Sequence, residues 1–187
     1  MTLTNDDPAS SPSRWRALCA RLGDPAHRRK VARFCFFTAL LLPPAGYAAG
    51  RYGIAIDPQT VRCLPEVRAV LLDRAVTPQS RDELVLFEAQ GLEPAFKDGT
   101  LLVKLMAGLP GDWVEISSSG VRINGQLRAA GLDLAAPLGH APADFARQYQ
   151  IPDGHFLPLG TARASLDGRY YGPIAADRIR GGALVLF

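Results

Sequence analysis

The sequence predicts a mainly β domain held behind one N-terminal transmembrane helix. Three observations carry that expectation. A charge-free apolar run at residues 34–50 follows directly on a cluster of basic residues, short apolar and β-branched runs fill the remainder, and turn residues separate those runs at close intervals. At 187 residues the chain has room for one medium domain with a core and an anchor, but hardly for two full domains.

The expected organisation is a cytoplasmic basic tail at 1–33, a transmembrane anchor at 34–53 and an exported domain at 54–187. Residues 1–13, rich in Asp, Pro, Ser and Asn, read as a disordered tail, and 14–33 as a basic juxtamembrane segment. The formal net charge of +3 is unevenly spread. Seven basic residues, Arg14, Arg16, Arg21, Arg28, Arg29, Lys30 and Arg33, stand against Asp6, Asp7 and Asp24, which leaves the rest of the chain one unit acidic. A nucleic-acid partner would call for basic residues spread over a folded face, so none is expected. Positive charge massed before an apolar run instead places the N-terminus in the cytoplasm and the chain after Gly50 across the membrane. The topology this implies is a single pass with the folded domain exported.

The run at 34–50 is close to the minimum for crossing a hydrocarbon core of about 30 Å. Pro43 and Pro44 would kink a helix, a feature tolerated in membrane spans. Two other readings compete. The small-residue stretch 45–49 resembles a signal-peptide cleavage site, although the polar segment before it is long for one, and a buried core helix of a soluble protein is the third.

Beyond the run, strands are expected at 67–73, 84–89, 101–107, 113–117, 121–123, 156–159 and 183–187. Ser117-Ser-Ser-Gly120 supplies a hairpin turn between two of them, and Asn124-Gly125 a second. Residues 128–153, rich in Ala, Gly and Pro, read as an irregular insertion with a short helix at 144–150.

Several chemistries find no support. His27, His140 and His155 are scattered without paired spacing, so no metal is expected, and Gly108-Leu-Pro-Gly111 lacks the lysine and hydroxyl of a nucleotide loop. No cofactor is expected. Nothing in the spacing suggests a Ser-His-Asp triad. Cys19, Cys35 and Cys63 cannot form a complete disulfide set, and only Cys63 falls in the exported part. A thiol redox protein would need a second exported cysteine.

Lys104 is the feature that draws attention, because every neighbour in Thr100-Leu-Leu-Val-Lys-Leu-Met-Ala107 apart from Thr100 is apolar. Burial disfavours an ammonium ion, which is how a lysine becomes usable as a general base near neutral pH. A lysine on an exposed strand face, snorkelling to water, fits the same pattern.

Lys104-Leu-Met-Ala-Gly-Leu-Pro-Gly-Asp112 resembles the lysine box of type I signal peptidases, with Leu105 where the family usually has arginine. Gly120-Val-Arg-Ile-Asn-Gly125 resembles the family's hairpin, and Ser165-Leu-Asp-Gly-Arg-Tyr-Tyr-Gly-Pro173 its Ser-x-Asp-Ser/Gly-Arg-Tyr box. The wording of the last box looks most like the conjugative-transfer branch, whose members mature pilin precursors. The resemblance spans about 63–174 and implies a signal-peptidase-like β domain.

It also implies roles. Arg62-Cys-Leu-Pro65 stands where the family has its nucleophilic serine and following proline, so Cys63 takes the serine's place, with Pro65 shaping the turn. A thiol, more acidic than a hydroxyl, suits a lysine base. Lys104 is then the general base, Ser165 orients its amine, and Asp167 and Arg169 hold the loop. The Cys63 backbone N–H would meet the oxyanion. The family's second donor, a hydroxyl two residues earlier, falls on Val61, with Thr60 as a substitute. The implied function is a membrane-anchored endopeptidase that matures an exported, pilin-like precursor by hydrolysis or cyclisation, alongside conjugation-apparatus proteins. A catalytically inactive peptidase-fold factor in pilus assembly is the alternative.

Overall fold

The computed structural model describes residues 24–57 and 62–187, and the chain divides into two units, Met1–Ala49 and Gly50–Phe187. The expectations for the tail at 1–13, for most of the basic segment, for Cys19, and for Thr60 and Val61 fall outside the described residues.

Helix α1 (Pro25–Arg51) accounts for nearly all that is described of the first unit, and Pro43 and Pro44 lie inside it. Phe34, Phe36, Phe37 and Leu40 to Leu42 are all exposed along it. By length and composition α1 is able to cross a membrane. A helix that leaves such residues without protein cover fits a lipid surround better than water.

The second unit is built from antiparallel strands in two sheets. The larger contains β1 (Tyr52–Ile56), β2 (Ala69–Asp73), β3 (Leu84–Glu88) and β4 (Leu101–Gly108). It also holds β9 (His155–Leu159), β10 (Ile174–Ala175) and β11 (Ile179–Val185), in the spatial order β1-β2-β11-β3-β4-β9-β10. The smaller consists of β5 (Trp113–Ser117), β6 (Gly120–Ile123), β7 (Gln126–Ala130) and β8 (Arg147–Gln150), ordered β7-β6-β5-β8. The expected mainly β class is what the chain adopts.

Alternation explains how the sheets bury their faces. Val114 and Ile116 of β5 point inward with Val121 and Ile123 of β6 and Leu157 and Leu159 of β9, forming one core cluster. Strand β4 feeds two clusters at once. Val103 and Leu105 pack with Val70, Leu72 and Leu86, while Leu102 and Met106 lie on the opposite face with Val85, Phe87 and Phe156. Lys104, at the position between Leu102 and Met106 in that alternation, shares their face.

Both expected hairpin turns are present. The first joins β5 to β6, with Ser117 opposite Gly120, and the second joins β6 to β7 through Asn124 at φ 50° and Gly125 at φ 80°. Two expectations need correction. Residues 144–150 do not form a helix. A single 3₁₀ turn at Pro142–Phe145 gives way to strand β8, whose Arg147 to Gln150 pair with β5 from Ile116 back to Trp113. The stretch 128–153 therefore holds the end of β7 and all of β8, with irregular turns and the 3₁₀ turn between them at 131–146. Strand β1 is an addition: Tyr52 and Gly53, expected at the end of the anchor, pair with Asp73 and Leu72 of β2. The strand expected at 183–187 is the latter half of β11, which runs between β2 and β3.

Candidate active site

Strand β4 sets Lys104 into the sheet opposite Val85 of β3, and only 2% of the residue's surface stays exposed. Its Nζ donates a hydrogen bond of 3.1 Å to the Oγ of Ser165, itself fully buried. These two residues are 61 positions apart in the chain, so the fold rather than local sequence makes the contact. The exposed-lysine alternative is thereby excluded.

Cys63 lies in the short turn before β2, half-buried, with a free thiol. Its carbonyl accepts a 3.1 Å hydrogen bond from the backbone N–H of Ala162, which ties the turn to the loop that carries Ser165. Cys63 and Lys104 line one cavity of about 400 Å³. The rest of its wall is largely apolar, with Ala55 from β1, Leu64, Val67 and Val70 around β2, Leu102 from β4, and Ala164 and Leu166. The stretch around 64–70 thus contributes one wall. Pro65 is exposed, and its carbonyl accepts a 3.4 Å contact from Arg62 Nη1.

Asp167 and Arg169 lie beneath the Ser165 loop, both with no surface exposed. The carboxylate accepts from Arg169 Nε at 2.9 Å and Nη2 at 2.7 Å, and from the Gly160 backbone N–H at 2.8 Å. The rest of the guanidinium fork reaches main-chain carbonyls: Ala162 at 2.6 Å, Ala130 at 3.0 Å, Gly160 at 3.2 Å and Arg163 at 3.3 Å. A buried ion pair is tolerable when its remaining donors find acceptors, and here they do. The pair ties residues 160–165 to the start of the short helix α2 (Gly168–Tyr171), and Arg147 Nη2 clasps the far side through the carbonyls of Gly168, Arg169 and Tyr170.

Gly160 is a site residue that the sequence reading missed. A Cβ built there would lie 2.3 Å from Ser165 Oγ and 2.6 Å from the Cys63 carbonyl, so only glycine lets the two loops approach this closely. The one hint in the sequence is a glycine directly after strand β9.

Asp112, at the end of the lysine box, anchors β4 from below. Burial raises its pKa, but the Leu109 N–H, the Asn124 amide and the Arg81 guanidinium together outweigh that and hold it below the ordinary 3.8. Arg81 also donates to the Ala107 carbonyl at 2.6 Å, which fixes the end of the strand. Among the described residues no three His, Cys, Asp or Glu side chains are placed to hold a metal ion.

Lys104 and Cys63 thus line one largely apolar cavity, and the Ser165 hydroxyl is bonded to the lysine amine. A sequence model of the family described as signal peptidase, peptidase S26, matches residues 60–187. A probable signal peptidase I-2 from Synechocystis sp. is 32% identical over 108 residues, which are 57% of this chain and 47% of that protein. This chain therefore spans about half the length of that curated relative. Among solved structures, a signal peptidase I from Enterococcus faecalis V583 aligns with 23% identity and a TM-score of 0.37, over 60% of this chain and 99% of that one.

Proposed function

The chain belongs to the signal peptidase family, peptidase S26, and from that membership we propose that it is a membrane-anchored endopeptidase in which Lys104 activates Cys63. The observation that carries this reading is the buried Lys104–Ser165 hydrogen bond beside a cavity that Cys63 also lines. Ser165 accepts from the amine and aims its lone pair into the cavity. The lysine amine takes the thiol proton, the sulfur attacks the scissile carbonyl, and a thioester acyl-enzyme forms as the C–N bond breaks and the substrate's leaving amine takes that proton from Lys104. Water, deprotonated by the same lysine, then releases the acyl group. The backbone N–H of Cys63 is one oxyanion donor. The apolar walls suit small uncharged side chains of an extended precursor. Asp167, Arg169 and Gly160 act by shaping the loop that positions Ser165.

The substrate class we infer is an exported pilin-like precursor of a conjugative system, presented by the membrane and matured among conjugation-apparatus proteins. The wording of Asp167-Gly-Arg-Tyr-Tyr-Gly-Pro173 supports that branch. The basic residues between Arg14 and Arg33, ahead of the apolar run, support a cytoplasmic N-terminus, an inner-membrane anchor and a periplasmic catalytic domain.

The test is co-expression with the cognate pilin precursor, comparing the wild type with Cys63→Ala, Cys63→Ser and Lys104→Ala by mass of the mature product. Both alanine variants are expected to lose processing by at least about a hundredfold, as loss of a nucleophile or general base does. Cys63→Ser is expected to retain part of it. Normal maturation in both alanine variants would show a chain that assists assembly without turnover. A product lighter by one water than the linear chain would identify cyclisation instead of hydrolysis.

A further inference from the structure

Arg51 is the first charged residue after the apolar run at 34–50, and within the second unit the fold brings another arginine to its side. Arg74 lies in the turn that follows β2, and the pairing of Tyr52 with Asp73 carries that turn back to the start of β1. The Arg74 backbone N–H donates to the Arg51 carbonyl at 3.0 Å, and Arg74 Nη1 donates to the Gly50 carbonyl at 3.3 Å. The guanidinium rests against Gly53, where a Cβ would already stand 3.7 Å from Nη2.

The two cations differ in what they meet. Arg51 turns its fork onto Asp73, Nε at 2.8 Å and Nη2 at 2.7 Å, and the same carboxylate accepts from the Ala75 N–H at 2.9 Å. One negative charge therefore answers one positive. Arg74 is exposed, forms no ion pair among the described residues, and spends only Nη1 on the protein, so its Nε and Nη2 remain as two donors on an uncompensated charge. An apolar run of seventeen residues covers about 25 Å along a helix, most of a hydrocarbon core, so with α1 as the anchor the residues directly after it stand where lipid headgroups begin. Ile54, within about 10 Å of Arg51 along the chain, is 70% exposed, and Ile56 is 69% exposed. Apolar side chains left open at this corner speak for lipid beside it rather than bulk water.

We propose that Arg74 binds the phosphate of a phospholipid headgroup on the exported face of the membrane, through the two donors that its contact with Gly50 leaves over. A planar guanidinium fork matches a phosphate in a way that a lysine ammonium does not. The inference rests on the reading of α1 as a membrane anchor and is independent of the nucleophile. It bears on the site all the same: Arg74 closes one end of the β1–β2 pair whose Ala55 and Val70 line the cavity, so a headgroup held there sets the height of that cavity above the lipid.

The test reconstitutes the full chain into vesicles of phosphatidylcholine and into vesicles of digalactosyldiacylglycerol, two bilayers without net charge of which only the first carries phosphate. Flotation shows whether the chain enters each, and circular dichroism gives the unfolding midpoint of the β domain. The wild type is expected to unfold about 3–5 °C higher in the phosphate lipid, as one charge-assisted contact made only by the folded state would give. Arg74→Gln should remove most of that difference and Arg74→Lys only part of it. Equal midpoints for the wild type in the two bilayers overturn the proposal. So does an Arg74→Gln variant that loses the same amount in both, which would make Arg74 a cap on the last helical turn and nothing more. Inorganic phosphate that raises the midpoint in the galactolipid as far as phosphatidylcholine does would reassign the site to a free anion and overturn the lipid assignment. A chain that floats with neither vesicle overturns the anchor reading and this proposal together, whereas flotation with equal midpoints overturns the proposal alone.

Discussion

Replacing Gly160 by alanine adds one methyl group where two functional loops meet. The constraint is space: the new carbon would fall 2.3 Å from Ser165 Oγ and 2.6 Å from the Cys63 carbonyl, short of ordinary contact at 3.4 Å by roughly 1.1 and 0.8 Å. Neither neighbour can yield freely. Ser165 Oγ is held by Lys104, and the Cys63 carbonyl is held by the Ala162 N–H. Gly160 itself is pinned at both ends, its N–H on Asp167 and its carbonyl on Arg169. The overlap must therefore be relieved by parting the Cys63 turn from the Ser165 loop by about 1 Å. Overpacking of this kind costs about 1–3 kcal/mol of stability, and a 1 Å misplacement of reacting groups costs about a hundredfold in rate. Two assays read the two consequences. Urea unfolding of the Gly160→Ala chain should show a lower midpoint with an unchanged slope, and precursor processing should drop by about a hundredfold under conditions where the chain remains folded. A variant as stable and as active as the wild type would refute the claim that these loops need a side-chain-free contact.

Asp167→Asn leaves the fully buried Arg169 guanidinium without its counter-charge; the expected loss is about 3–5 kcal/mol by denaturant titration, enough to unfold a marginal domain. A loss under 1 kcal/mol would mean that the carbonyls around Arg169 suffice by themselves. Acid stability follows from Asp112, whose folded pKa lies below 3.8 although burial opposes that shift. The sign is that of a depressed carboxylate: its contribution is complete above the unfolded value and disappears as pH falls through the folded one. The urea midpoint should thus hold from neutral pH to about 5 and decline below about 4. Asp112→Asn, starting from a lower midpoint, should decline less steeply, and parallel curves would contradict the assignment.

The hairpin of β5 and β6 was open to sequence reading because its apolar side chains alternate and Ser117 to Gly120 forms a turn of small residues. Lys104 was equally visible, standing alone among apolar neighbours. Strand β8 was not, because Arg-Gln-Tyr-Gln shows no apolar alternation; two of its four residues face solvent, and pairing with β5 decides its state. Strand β1 was hidden by continuity with the apolar run before it. Gly160 shows nothing to a composition or period search, since its role is the absence of a side chain at one point in space.

Strand β11 lies between β2 and β3, and beyond it Phe187 accepts from the N–H groups of Arg68 and Ala69, just past the Cys63 turn. Ribosomal synthesis delivers β2 and β3 more than ninety residues before the strand that joins them. Until then their facing edges have no partner, and the N–H groups of Arg68 and Ala69 lack the Phe187 carbonyl. The cavity that Cys63 and Lys104 line is therefore expected to take its final shape only once β11 has been made, well after both residues have left the ribosome.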